Sequence, residues 1–238
     1  MAEPAFVLVH SPLVGPRTWA PVAATLARRG QRAIVPALRP GEVTRGPMWS
    51  HFADRVAASV GPAIRSIVLV AHSGAGPLLP VIGERVGAEV DAYVFADATI
   101  PARTGATPVV PAGLMDALRQ KAEGGRVPKW SAWFPEDVMR TLVPDDGLRA
   151  EVEDELPSLP LAYFEESVPT PAAWTEDRCR YLQFSEAYLP AAADAESKGW
   201  PVVRLAGGHL HMLADPLAVT GALLLLASPD PGRKGTGP

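Results

Sequence analysis

The stretch Ser66-Ile-Val-Leu-Val-Ala71-His72-Ser73-Gly74-Ala75-Gly76-Pro77 limits what this chain can fold into more than any other. An unbroken apolar run rich in Val and Ile ends in a His-Ser-Gly turn. Leu78, Leu79, Ile82 and Val86 then follow at helical spacing, so strand, tight turn and helix come in immediate succession. A serine at the apex of such a turn is forced into a strained backbone conformation, and the residues two before and two after it must be small. Here they are Ala71 and Ala75, flanked by Gly74 and Gly76. The competing reading of the same residues is a strand followed by a glycine-rich loop with an incidental serine.

The rest of the chain supplies the context such a turn needs. Residues 5–10, 32–38, 66–71 and 90–96 read as short buried strands, and residues 19–29, 48–64 and 76–86 carry helical spacing between them. This alternation predicts an α/β fold with a mostly parallel sheet and helices on both faces. The rhythm breaks over residues 101–177, which are Pro-rich, show several short helical patterns and no convincing strand. The segment holds Trp130, Trp133, Phe134, Tyr163, Phe164 and Trp174. It reads as a helical cap or lid inserted into a core made of residues 1–100 and 178–227. Most of its rings are expected to pack within it, with at least one lining a pocket. Strands resume at residues 180–185 and 200–205, and residues 217–227 form the last helix.

A nucleophilic serine needs a base to take its proton, and the base needs a group that fixes its tautomer and balances its developing charge. In open α/β sheets such groups gather on the loops at the carboxyl ends of the strands. Ser73, Glu186 and His209 each follow directly on a predicted strand, in the order nucleophile, acid, histidine. Asp97, at the end of the fourth strand, competes with Glu186 for the acid position.

These residues, with Val7-Leu8-Val9-His10-Ser11, Gly15 and Trp19 near the start and Gly207-Gly208-His209 followed by Asp215-Pro216 near the end, resemble an α/β-hydrolase. The chain is most similar to the small esterase and hydroxynitrile-lyase-like branch. The resemblance implies Ser73 as nucleophile, His209 as general base and acid, and Glu186 in the acid position, since it stands before the Leu189-Pro190 pair that also aligns. It implies a serine hydrolase that cleaves an ester, thioester or lactone of an apolar small molecule through an acyl-enzyme, with no cofactor.

One departure bears on the chemistry. Acyl transfer needs donors aimed at the developing oxyanion. The amide of Gly74 is one. The second normally comes from the loop after the first strand, two residues past the histidine, and that position is Pro12, which has no N–H. Leu13 through a shifted loop, or the Ser11 hydroxyl, are the replacements to consider. The same departure keeps open a non-hydrolytic lyase, cyclase or small-molecule binder.

Composition excludes other classes. With 47% hydrophobic and 20% charged residues, a net charge of −4 and scattered arginines, the chain is globular and offers no nucleic-acid surface. The start of the chain lacks a basic leader and the longest apolar run is too short for a bilayer, so a soluble cytoplasmic protein is expected. The single cysteine, Cys179, has no partner for a disulfide. His209 and His211 form a His-x-His pair without a nearby third ligand, so no metal is expected. The expected partner is a small-molecule substrate, with monomer and homodimer both open. Residues 228–238 are expected to be disordered.

Overall fold

The computed structural model describes residues 3–43, 45–134 and 136–228. The chain opens with β1 (Ala5–Val9), α1 (Ala20–Arg28), β2 (Ala33–Ile34), α2 (Met48–Ser59), β3 (Ser66–Ser73), α3 (Leu78–Arg85) and β4 (Glu89–Ala98). An inserted segment follows, with β5 (Ala106–Pro108), α4 (Ala112–Lys121), β6 (Arg126–Val127), α5 (Val138–Leu142), α6 (Asp146–Asp154), β7 (Leu159–Pro160), α7 (Leu161–Phe164) and β8 (Ser167–Pro169). The chain then returns through β9 (Cys179–Gln183), α8 (Leu189–Ser197), β10 (Val202–Arg204), α9 (His211–Ala214) and α10 (Pro216–Ala227). Of the tail expected to be disordered, residues 229–238 lie outside the described residues.

Six strands form one parallel sheet in the order β10-β9-β4-β3-β1-β2. Alternation along each strand sends side chains to opposite faces. Val7, Ile67 and Leu69 therefore join Phe52 of α2, Leu79 and Ile82 of α3 and Ala192 of α8 in one core. Phe6, Val68 and Val70 join Leu26 of α1 and Val219 and Leu223 of α10 in the other. Burial on both faces explains the continuous apolar runs. The second strand is shorter than residues 32–38, because Pro36 has no N–H to continue the ladder at this sheet edge.

The insertion is not purely helical. Two short antiparallel ladders, β5 with β8 and β6 with β7, brace its helices. Strands of two or three residues are too short to show a period of two, which is why the sequence did not display them. The insertion extends both cores, with Leu118, Tyr163 and Phe164 on one side and Met139, Val143 and Val152 on the other. Carboxylates tie it down. Glu166 accepts hydrogen bonds from the Met48 and Trp49 amides at 2.8 and 3.1 Å, capping α2. Glu155 accepts from the Arg17 amide at 2.8 Å and presses against Gly15, where any side chain would collide with it. No helix among the described residues is long and apolar enough to cross a membrane.

Candidate active site

Ser73 ends β3 at the sharp turn into α3, with φ of 56°, a left-handed conformation that few non-glycine residues adopt. The turn is closed by hydrogen bonds from the Ala75 amide to the His72 carbonyl (3.0 Å) and from the Gly76 amide to the Ser73 carbonyl (3.2 Å). Ala71 and Ala75 are completely buried, and a side chain at Gly76 would run into the Thr99 carbonyl. The small residues around Ser73 are therefore dictated by packing space. The strain presents the hydroxyl above the end of the sheet, a common use of unfavourable backbone at functional positions.

His209 lies on the loop after β10, and its Nε2 is 3.0 Å from Ser73 Oγ. Its Nδ1 is 2.7 Å from Asp97 Oδ2. Nδ1–H donates to the carboxylate, which leaves Nε2 free to accept the serine hydroxyl. Asp97 sits at the end of β4 in a left-handed conformation (φ 45°) and is wholly buried. Its Oδ1 accepts from the amides of Phe184 (2.8 Å) and Ser185 (3.0 Å), and Oδ2 accepts also from Ser185 Oγ (2.6 Å). Burial pushes the Asp97 pKa up, but the hydrogen bonds from His209 and Ser185, the His209 charge and the Phe184 amide outweigh it and hold the group below its ordinary value.

The acid position thus differs from the one preferred on sequence grounds. Glu186 is exposed, at the start of a 3-10 turn over Glu186–Tyr188, and the carboxylate that meets His209 is Asp97. Two physical reasons account for this. Strand β4 lies between β3 and β9, so its end is adjacent to both the serine and the residue-185 turn. Ser185 is extended (φ −102°, ψ 156°) and points inward to Asp97; the next side chain, Glu186, is carried outward.

Two other histidines build the floor. His72 stands 4.5 Å from the His209 ring, centroid to centroid, and its Nε2–H donates to the His209 carbonyl at 2.9 Å. Burial first, then the neighbouring His209 charge, lowers its pKa to about 3, so it is neutral. His10 donates through Nδ1 to the Ser11 carbonyl (2.8 Å) and accepts the Leu38 amide at Nε2 (3.3 Å). Burial lowers its pKa to about 4. His211 packs on Phe184 at 5.7 Å. Among the described residues no group of three or more His, Cys, Asp or Glu is placed to hold a metal.

The loop after β1 decides which donors can face an oxyanion. The Leu13 amide is turned to Ser11 Oγ at 3.3 Å, so it is engaged within the loop. Ser11 is buried, and its Oγ lies 3.7 Å from where a Cβ on Gly74 would stand. Having accepted from Leu13, the hydroxyl keeps its own hydrogen to donate.

Aromatic groups close the site. Trp130 of the insertion is 6.2 Å from the His209 ring and edges against Phe134. Tyr188 stacks on His209 at 5.1 Å with 5° between planes, its hydroxyl 3.4 Å from Ser73 Oγ. Trp133, Tyr163, Phe164 and Trp174 pack instead on Phe164, Phe52, Tyr163 and Tyr93 as core of the insertion and its seat. Leu142 rests on Gly208 beside His209. Sequence reasoning missed Tyr188 and Ser185; their places directly after a strand that ends at the site were the available signal.

The alpha/beta hydrolase family model matches residues 6–222, nearly the whole chain. The protein is an α/β-hydrolase. Solved structures agree with this α/β-hydrolase fold. A pyrethroid hydrolase from Sphingobium faniae superposes with a TM-score of 0.74 at 20% identity, covering 95% of this chain and 98% of the other. An extracellular α/β-hydrolase from a Paenibacillus species gives 0.72 at 17% identity, covering 96% and 100%. Polyneuridine aldehyde esterase gives 0.66 at 16% identity, covering 95% and 100%. No curated protein sequence matches this α/β-hydrolase.

Proposed function

We propose that this α/β-hydrolase is a serine hydrolase cleaving a carboxylic ester, thioester or lactone of an apolar small molecule. The observation that carries the reading is the unbroken hydrogen-bonded line from Ser73 through His209 to Asp97. In the first step the Ser73 Oγ–C bond forms at the substrate carbonyl while the hydroxyl proton passes to His209 Nε2. The tetrahedral oxyanion faces the Gly74 amide and the Ser11 hydroxyl. Collapse breaks the bond to the leaving oxygen or sulfur, which takes the proton from His209. Water, deprotonated by the same imidazole, then attacks the acyl carbon; the bond from that carbon to Ser73 Oγ breaks, the carboxylic acid leaves, and Oγ recovers its proton from His209.

Asp97 holds the imidazole in the productive tautomer and balances its charge throughout. Trp130, Tyr188 and Leu142 give the surroundings of the reacting atoms an apolar and aromatic character, which supports an apolar substrate. The likeness in fold to a pyrethroid hydrolase and to an esterase is consistent with this substrate class. A chain with one buried cysteine needs no oxidising compartment, and the cytoplasm is the setting we assign.

Labelling with a fluorophosphonate, read by intact mass on the wild type, Ser73→Ala and His209→Ala, tests the reading. One label on the wild type and none on either variant is the expected result. A second reading, a lyase, cyclase or binder that forms no acyl-enzyme, is favoured by Pro12 at an oxyanion position and the engaged Leu13 amide. An unlabelled but folded wild type would select it.

A further inference from the structure

Tyr188 enters neither the triad nor the oxyanion donors, yet among the described residues its hydroxyl is the one side-chain group besides His209 within hydrogen-bond reach of Ser73 Oγ. It is 3.4 Å from Ser73 Oγ, long for a hydrogen bond, as catalytic contacts are before substrate tightens them. The ring lies parallel on His209, so the phenol oxygen is held beside the line from Nε2 to Oγ. The Tyr188 amide donates to the Ser185 carbonyl at 3.2 Å, and Ser185 in turn clamps Asp97. One turn of backbone therefore fastens the acid at one end of the triad and reaches the serine at the other.

The direction of the hydrogen bonds follows from the groups present. Ser73 gives its proton to His209 Nε2, so its oxygen accepts from Tyr188 O–H. Burial raises the Tyr188 pKa, so the phenol is a donor and does not surrender its proton at neutral pH.

Building on the serine-hydrolase reading, we propose that Tyr188 is a catalytic residue whose hydroxyl donates to the leaving-group oxygen of the substrate. The departing oxygen must come within hydrogen-bond reach of His209 Nε2 to receive its proton, which brings it to the region now shared by Nε2, Ser73 Oγ and Tyr188 Oη. As Oγ forms its bond to the acyl carbon it becomes a poor acceptor. The phenol hydrogen then passes from Oγ to the oxygen on which negative charge grows. No proton leaves Tyr188: His209 supplies the one transferred, and the phenol contributes a hydrogen bond that strengthens only in the transition state.

The consequence is a dependence on leaving group. Alkoxides carry much charge in the transition state and need the donor; 4-nitrophenoxide spreads its charge over the ring and does not. The test compares kcat/KM, which reports acylation, for 4-nitrophenyl and methyl esters of one acid on the wild type and Tyr188→Phe. Tyr188→Phe keeps the stacked ring. It is expected to lose about 10- to 100-fold more on the methyl ester than on the nitrophenyl ester, the worth of a hydrogen bond to a charged group. Equal losses on both esters in an active Tyr188→Phe overturn the inference and leave the hydrolase reading intact. A wild type that takes no fluorophosphonate and turns over neither ester overturns both.

Discussion

The hydroxyl of Ser185 donates a 2.6 Å hydrogen bond to Asp97 Oδ2, the same oxygen that faces His209 Nδ1 at 2.7 Å. With the Phe184 and Ser185 amides on Oδ1, the carboxylate has four donors and no freedom to turn. A buried charge is tolerable only when satisfied in this way. The identity of the acid can be tested directly. Asp97→Asn is expected to reduce kcat/KM by about 10³- to 10⁴-fold, since the amide cannot stabilise the imidazolium or enforce its tautomer. Glu186→Gln, at an exposed position, should leave it within twofold, roughly the scatter of a surface change. Rates measured on one activated ester suffice, and the opposite ranking would return the role to Glu186.

In the proposed mechanism Ser11 offers the donor that Pro12 lacks. Ser11→Ala removes the hydroxyl facing Gly74 and frees the Leu13 amide. The loss of one oxyanion donor costs about 10²- to 10³-fold in kcat, with KM little changed. A Ser11→Ala enzyme with the wild-type kcat would show that the hole is built from other groups.

Stability should depend on pH through His10 and His72. Both are buried and neutral in the folded state, with pKa lowered to about 4 and about 3 from the ordinary value of 6.5. Above pH 6.5 neither state binds the proton and they contribute no slope. Below it the unfolded chain binds protons that the folded chain refuses, so stability falls as pH drops from 6.5 towards 4, and further for His72. At pH 5 the loss is about 2 kcal/mol for each histidine. Asp97 adds to the fall at lower pH still, because its depressed pKa stabilises the fold only while the carboxylate is ionised. Urea unfolding at pH 7 and pH 5 measures this, and His10→Gln should remove about half of the difference. Equal midpoints at the two pH values would contradict the assignment.

The insertion is fastened to the core through Glu166 at the start of α2, where a carboxylate meets two amides and the positive end of the helix dipole. Glu166→Ala should lower stability by about 1–2 kcal/mol, the range for losing a helix cap. Thermal unfolding reads this as a drop of several degrees, and an unchanged melting temperature would show the contact to be ornamental.

The α/β architecture, the place of the strained serine and the histidine loop were legible in the chain because they rest on local causes. Apolar runs are long when strands are buried on both faces, small residues must surround Ser73 because of its left-handed backbone, and Gly208 makes room for Leu142 beside His209. What tertiary structure alone decided is which groups meet. Asp97 and Glu186 both follow strands, and only the order of the sheet, with β4 between β3 and β9, and the inward turn of Ser185 put Asp97 against His209. The turn of the Leu13 amide to Ser11 Oγ, the stacking of Tyr188 and the short ladders of the insertion are of the same kind. Each depends on residues far apart in the chain or on the direction of one side chain, and neither quantity leaves a period or a spacing to read.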